Sequence, residues 1–502
     1  MKRRQFFTLS SASAAAILMS RCAASNQIKA QPTLSESYAS NGSLLELSLD
    51  ARQSQVSLGG TQANLLTFNG QIPGPRLEAR GGDTVRIRFL NNLQNPSNLH
   101  YHGLHVPPTG NADNVFLSVP PGERLTYEFT LPKNHPPGTF WYHPHKHGFV
   151  ADQVFGGLAG LFIVRGELDE IAEIKAAREE FVVLKDFSIG QNGQLLPPNP
   201  MEKMHGREGN LVTVNGEVRP RFSIPEKGLL RLRLLNASTS RFYRLSLEEH
   251  PFYIIATDGG AIAEPVETNE VLLTPGERVE VLVKGDRPPG EYRLLDLPYN
   301  RGGMGMMGGG RMGPGGRMGP GGMMGGGMMG RGNMRRGSGQ GNNGETRTLA
   351  TLRYGDRAQP EVPLPKQLIP VETLPEPNGV KRFTLNHGMA PGRGMIFLIN
   401  GKAFKGDRID TQVQLNRIED WELTSTGTMD HPFHLHTNHF QTISRNQQPE
   451  PYRAWKDTVL VRRGEVVRIR VPFRDFPGKT VYHCHILDHE DLGMMGNIQM
   501  QA

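Results

Sequence analysis

The stretch Tyr482-His483-Cys484-His485-Ile486-Leu487-Asp488-His489-Glu490-Asp491-Leu492-Gly493-Met494 concentrates metal-ligating side chains. It opens from Lys479-Thr480-Val481-Tyr482, a β-branched and aromatic run that reads as a strand. Successive side chains of a strand point to opposite faces. His483 and His485 therefore face one way and Cys484 the other. One short segment thus offers two imidazoles to one site and a thiolate to a second site behind it. Cys484 has further partners close by in the chain, His489 five residues on and Met494 ten residues on. A thiolate with imidazoles and a weak thioether is the ligand set of an electron-transfer copper centre. It lacks one more imidazole.

Three other clusters can supply it: Leu99-His100-Tyr101-His102-Gly103, Trp141-Tyr142-His143-Pro144-His145 and His431-Pro432-Phe433-His434-Leu435-His436. Each contains His-x-His, which on a strand puts both rings on one face. His431 lies three residues from His434, so it faces the opposite way and is the natural partner of Cys484. His434 and His436 face the other site. The bland alternatives are buried structural histidines or a zinc site. Zinc favours closed sets of four ligands, and ten imidazoles with one cysteine exceed that need. His105, His135, His147, His205, His250, His387 and His439 fit no ligand position and read as surface or hydrogen-bonding residues.

In order and spacing the four clusters resemble the copper motifs of the multicopper oxidases, the family of laccases, ascorbate oxidase and bacterial copper-efflux oxidases. The resemblance runs over nearly the whole chain after its first residues. It implies four copper ions. A type 1 copper would sit on His431, Cys484, His489 and, axially, Met494. A type 2 copper would sit on His100 and His434, and a type 3 pair on His102, His143, His145, His436, His483 and His485. It also implies proton-delivering acids at Asp113, after the first cluster, and at Glu490, next to His489. The expected reaction takes single electrons from Cu(I) or a phenol and reduces O2 to water.

These ligands must be positioned by something, and the chain repeats itself. Phe68-Asn69-Gly70, Val214-Asn215-Gly216 and Ile399-Asn400-Gly401 look like one turn used three times. Pro121-Gly122-Glu123-Arg124, Pro275-Gly276-Glu277-Arg278 and Arg463-Gly464-Glu465-Val466 are a second repeated turn, each followed by an alternating strand. Short strands between Gly/Pro turns, in three copies, predict an all-β chain of three β-sandwich domains. The resemblance makes these cupredoxin-like Greek-key domains. The expected spans are residues 40–166, 175–358 and 375–502, the last carrying the type 1 copper. Where copy one has His143-Pro144-His145 and copy three has His483-Cys484-His485, copy two has Leu294-Leu295-Asp296. The middle domain therefore carries no copper ligands and reads as a spacer. The trinuclear ligands divide evenly between the outer domains, so that cluster belongs in their interface.

Residues 300–344 interrupt the second copy with a Gly, Met, Arg and Pro sequence holding ten methionines between Met304 and Met334. Such a composition builds no core, and disorder is expected. The interruption falls in the loop equivalent to the one that carries His489 and Met494 in copy three. Its thioethers suit Cu(I), which favours copper handling over a bland linker. Residues 1–30 place Arg3-Arg4 before a short apolar run and read as a twin-arginine export leader, cleaved after Ala24 or Ala30. Arg21 before Cys22 argues against lipidation there. With the leader gone, Cys484 is the sole cysteine, free for metal. The net charge of +7 resides largely in the leader and the insert, where Arg301 and five other arginines have no acid among them. Nucleic-acid binding is therefore not expected, nor is a membrane span. A periplasmic monomer is. Two rivals remain: a periplasmic copper-sequestering protein using the insert with little turnover, and a scaffold like a cell-division relative of this fold that has lost its coppers. The intact ligand set argues against the second.

Overall fold

The computed structural model describes residues 36–302, 344–356, 361–392 and 394–502. The expected leader, residues 1–30, and most of the Met-rich interruption lie outside the described residues. The described chain is built of six β-sheets in three pairs, which run from Ser37 to Arg165, from Arg178 to Asp356 and from Gly379 to Gln501. The pairing scheme repeats. A long first strand pairs in parallel with a later one in each copy: Leu44–Leu58 with Thr84–Asn92, Arg178–Phe187 with Leu229–Asn236, and Gly379–Ala390 with Arg417–Ser425. The strands Gly138–His143, Glu291–Leu297 and Gly478–Cys484 each pair antiparallel with the last strand of their domain.

The repeated sequence signals explain this repetition. Asn69, Asn215 and Asn400 all have positive φ, as do the glycines that follow them. Two central residues with positive φ are what a tight hairpin turn of matching twist requires, and Asn-Gly supplies them at least strain. Along Thr84–Asn92 every second side chain is buried, with Val85, Ile87 and Phe89 in the first domain's core and Arg86 and Arg88 outside. That alternation is the mark of a sheet with one solvated face. In Leu229–Asn236 all eight residues are buried. Its outward Arg231 and Arg233 bind Glu280, Asp169 and Glu179, because this face packs on the first domain. Trp141, Leu161 and Ile163 of the first domain join Phe181, Val183 and Leu235 of the second in one apolar cluster.

Arg301 is not part of a solvated insert. It is buried, donates to the carbonyls of Ser240 and Gly206, and pairs with Glu208 at 3.0 Å. The fold therefore holds the chain as far as Gly302, which bridges Met429. Among the described residues no helix is long and apolar enough to cross a membrane.

Candidate metal centre

Strand alternation puts Cys484 on the opposite face from His483, and the two faces meet different surroundings. On the first, Cys484 Sγ lies 3.5 Å from His431 Nδ1 and 3.9 Å from His489 Nδ1. His431 reaches it from the strand His431–Leu435, which pairs with Gly478–Cys484. His489 reaches it from the short helix Leu487–Asp491 that follows. His489 Nε2 is 3.2 Å from the carbonyl of Met204, so that nitrogen carries the proton and the Nδ1 lone pair faces the sulfur. Phe397 stacks on the His489 ring at 3.8 Å and fixes its plane. Met494 is fully buried in the same core cluster, and its carbonyl accepts the Cys484 N–H at 3.0 Å. Burial pushes the Cys484 thiol up, with Glu490 adding to the rise, and pushes His431 down to about 3. A protonated thiol between two neutral imidazoles is no nucleophile. It is a soft donor set that a cation would ionise.

On the second face eight imidazoles converge, four from each outer domain. His100 is paired with His143 across one antiparallel ladder and His434 with His483 across another. The rings of His100 and His436 stack at 3.9 Å, and those of His102 and His434 at 3.8 Å. His483 Nε2 lies 3.1 Å from His145 Nε2 and 3.0 Å from His436 Nε2. Five rings are tied by one nitrogen to a protein oxygen: His100 Nδ1 to Asp113, His102 Nε2 to Asp457, His143 Nδ1 to the Pro144 carbonyl, His434 Nδ1 to the Asp457 carbonyl and His483 Nδ1 to the Cys484 carbonyl. Tying one nitrogen fixes the tautomer and aims the other. The nitrogens left over on His100, His102, His143 and His434 are buried and have no hydrogen-bond partner among the described residues, and neither nitrogen of His485 has one. Burial, reinforced by the neighbouring imidazoles, holds the His100, His436 and His483 rings well below the usual histidine range. They are neutral lone-pair donors, which fits copper ions.

Two acids flank this cluster. Asp113 accepts the Tyr101 N–H and holds His100 Nδ1 at 2.9 Å. Burial raises it to about 8. The Glu490 carboxyl lies 3.2 Å from His483 Nδ1 and 3.6 Å from His145 Nε2, and burial followed by the Asp491 charge raises it well above the usual range. The ten histidines and Cys484 singled out from the sequence thus fall in one of the two clusters, and Met494 meets Cys484 through its backbone carbonyl. His105, His135 and His439 instead line a cavity of about 300 Å³ behind the Gly103 and Thr437 turns. Two residues near the second cluster carried no signal in the sequence as ligand neighbours. Asp457 bonds His102, and Arg278 of the middle domain bonds Asp457. The nearest hint was Arg278 itself, the fourth residue of a repeated turn. The middle domain is therefore more than a spacer. A Cβ on Gly276 would stand 2.9 Å from the His485 ring and 3.0 Å from that of His102.

Paired sandwiches with a cysteine cluster and an eight-histidine cluster one residue apart define a copper oxidase. Sequence profiles described as multicopper oxidase match residues 50–169, 190–303 and 374–502, and the chain belongs to the multicopper oxidase family. A solved multicopper oxidase of Campylobacter jejuni, described as a metallo-oxidase, is 30% identical, with a TM-score of 0.78 over 95% of each chain. A solved laccase-like multicopper oxidase of Ochrobactrum, with activity towards lignin model compounds, is 26% identical, with a TM-score of 0.75 over 93% of this chain and 99% of that one. A multicopper oxidase of Staphylococcus haemolyticus is 28% identical over 93% of this chain and 91% of its own length. The protein is an oxidoreductase, and its three domains are cupredoxin-like.

Proposed function

We propose that His431, Cys484, His489 and Met494 would hold a type 1 copper, that His100 and His434 would hold a type 2 copper, and that His102, His143, His145, His436, His483 and His485 would hold a type 3 pair. When bound, the four coppers supply one-electron acceptance at the cysteine site and four-electron reduction of O2 to two waters at the histidine site. The observation that carries this reading is a single strand. Cys484 belongs to one cluster while its chain neighbours His483 and His485 belong to the other. An electron reaching Cys484 therefore has a covalent path to either histidine. The bond between His483 Nδ1 and the Cys484 carbonyl adds a shorter one. Glu490 and Asp113, both held protonated by burial near neutral pH, stand where protons are consumed and act as general acids.

Cu(I) is the electron donor we favour, with phenols as a second substrate class. Three methionines lie on segments that carry or pack on the cysteine site. Met389 and Met395 oppose each other across the hairpin whose Phe397 stacks on His489. Gly302, where the described chain stops before the Met-rich sequence, bridges Met429 two residues from His431. Soft sulfur donors suit Cu(I). The relatives lend weight to both substrates, one being described as a metallo-oxidase and another by its activity on lignin compounds. Acting in copper tolerance, the protein would work in the periplasm as a monomer, exported through its twin arginines. A sequestering protein would have no need of two clusters joined through one strand.

Oxygen uptake with Cu(I) and with a phenol tests the reading. Replacing the ten methionines of residues 304–334 by Leu or Ser should raise the Michaelis constant for Cu(I) and leave phenol turnover equal or faster. Tethered thioethers raise capture of the ion without touching the oxygen chemistry. Cu(I) oxidation that is unchanged by these replacements would remove the copper-handling role. Binding without oxygen uptake would favour sequestration.

A further inference from the structure

Arg278 opens the strand Arg278–Lys284 of the middle domain and is fully buried. A guanidinium has five N–H donors, and all five are used here. Nε donates to the Thr139 carbonyl of the first domain at 3.0 Å. Nη1 donates to the Gly276 carbonyl at 3.0 Å and to Asp457 Oδ1 at 2.9 Å. Nη2 donates to the Asp258 carbonyl at 2.8 Å and to Asp457 Oδ2 at 2.5 Å. The fork on Asp457 is bidentate, the geometry that fixes a carboxylate in both position and rotation.

Asp457 passes this constraint to two rings. Its Oδ1 holds His102 Nε2 at 2.9 Å, and its backbone carbonyl holds His434 Nδ1 at 2.9 Å. Thr458 closes the set, donating to Asp457 Oδ1 at 2.8 Å. His100, His143, His434 and His483 are tied through Nδ1 and keep Nε2 for the cluster, whereas His102 is tied through Nε2 and keeps Nδ1. Two glycines with positive φ make room for the arrangement. A Cβ on Gly103 would stand 2.3 Å from Arg278 Nη2 and 2.5 Å from Asp457 Oδ2, and one on Gly276 would press on His102 and His485. The equivalent arginine of the first domain's turn, Arg124, is exposed. The middle copy alone has turned this position inward.

We propose that Arg278 is a positioning residue for the trinuclear site: through Asp457 it selects Nδ1 as the ligating atom of His102 and sets the plane of His434, so that docking of the ligand-free middle domain completes a copper site built by the other two. This rests on the reading of the eight-histidine cluster as a trinuclear copper site. Without the fork, Asp457 becomes a buried carboxylate with no cation opposite it. It can then rotate, and His102 is free to flip.

The test compares Arg278→Lys, Arg278→Met and the double variant Arg278→Met/Asp457→Asn in the full chain. The double variant removes the uncompensated charge, so it folds if the single one does not. Copper is counted by elemental analysis against the blue absorbance of the cysteine site, which lies outside the Arg278 network and serves as the internal standard. Wild type should hold about four coppers per blue site. Arg278→Met and the double variant should keep the blue site but hold histidine-cluster copper roughly 10–100-fold more weakly against a competing chelator, the usual effect of losing an outer partner of a ligand. Arg278→Lys keeps the charge without the fork, and should retain copper with an altered type 2 paramagnetic resonance spectrum. A double variant with wild-type copper retention and an unchanged type 2 spectrum would overturn the proposal, because charge neutrality would then suffice. A wild type with one copper per blue site would instead overturn the trinuclear reading on which it stands.

Discussion

Counted from Gly290 and Gly478, which precede or open equivalent strands, Asp296 stands level with Cys484, one position away from the register that set Leu294-Leu295-Asp296 against His483-Cys484-His485. Where the third domain has the thiol of the cysteine cluster, the middle domain has a buried carboxyl. Burial raises its pKa from an ordinary 3.8 to about 7, against the opposing pull of Arg241, the Arg244 N–H and Arg347. The folded value lies above the unfolded one, so the unfolded chain releases this proton first as pH rises. The contribution of Asp296 to stability is therefore undiminished below about pH 4, declines between about pH 4 and pH 7, and stays low above that. At about 1.4 kcal/mol per pH unit, the two units between pH 5 and pH 7 should cost the middle domain about 3 kcal/mol. Asp296→Asn keeps an acceptor for the Arg244 N–H but cannot ionise. Urea unfolding of both proteins at pH 5 and pH 8, followed by circular dichroism, measures the difference, and taking variant minus wild type cancels the other titrations. The difference should move in favour of the variant by about 3 kcal/mol between the two pH values. A difference independent of pH would refute a raised pKa at Asp296.

Cys484→Ser should abolish the blue thiolate-to-copper absorption and the oxidase activity while copper at the histidine cluster persists. A variant that stayed blue would sink the role given to Cys484. Met494→Leu should keep the colour and raise the reduction potential, because losing a weak axial donor disfavours Cu(II); an unchanged potential would mean that Met494 is not axial. Glu490→Gln should lower steady-state oxygen reduction by about 10²–10⁴. Anaerobic bleaching of the blue band by substrate should proceed at the wild-type rate, and slower bleaching would place Glu490 in electron transfer rather than proton delivery.

The candidate ligands were legible because strand geometry writes them locally. His483, Cys484 and His485 sort onto two faces by alternation alone, and His431 separates from His434 by the same rule. The threefold repeat was legible because the Asn-Gly turn needs positive φ, which few residue pairs supply. Asp113 was expected from the family resemblance, and it lies only thirteen residues from the His100 it bonds. What stayed hidden depends on contacts between domains. Arg278 meets Asp457 across 179 positions, and Asp457 meets His102 across 355. No local pattern encodes such a meeting. Arg301 was misread for a related reason. It stands at the head of a Gly- and Met-rich sequence, but its acid, Glu208, comes from far back in the chain.

The strands on either side of the Met-rich sequence are neighbours, with Asp296 directly opposite Arg347 in an antiparallel ladder. The chain therefore leaves the sheet and re-enters it on adjacent strands. Closing a free loop costs only about 0.6 kcal/mol for each doubling of its length, so stretching a tight turn of a few residues to about fifty costs the domain roughly 2 kcal/mol. Chain length and composition at this point are thus nearly decoupled from folding. The middle domain works as a socket into which a sequence of almost any length can be spliced, and from which it can be cut. The sequence carried at this point can therefore be exchanged by descent or by design without redrawing a single strand.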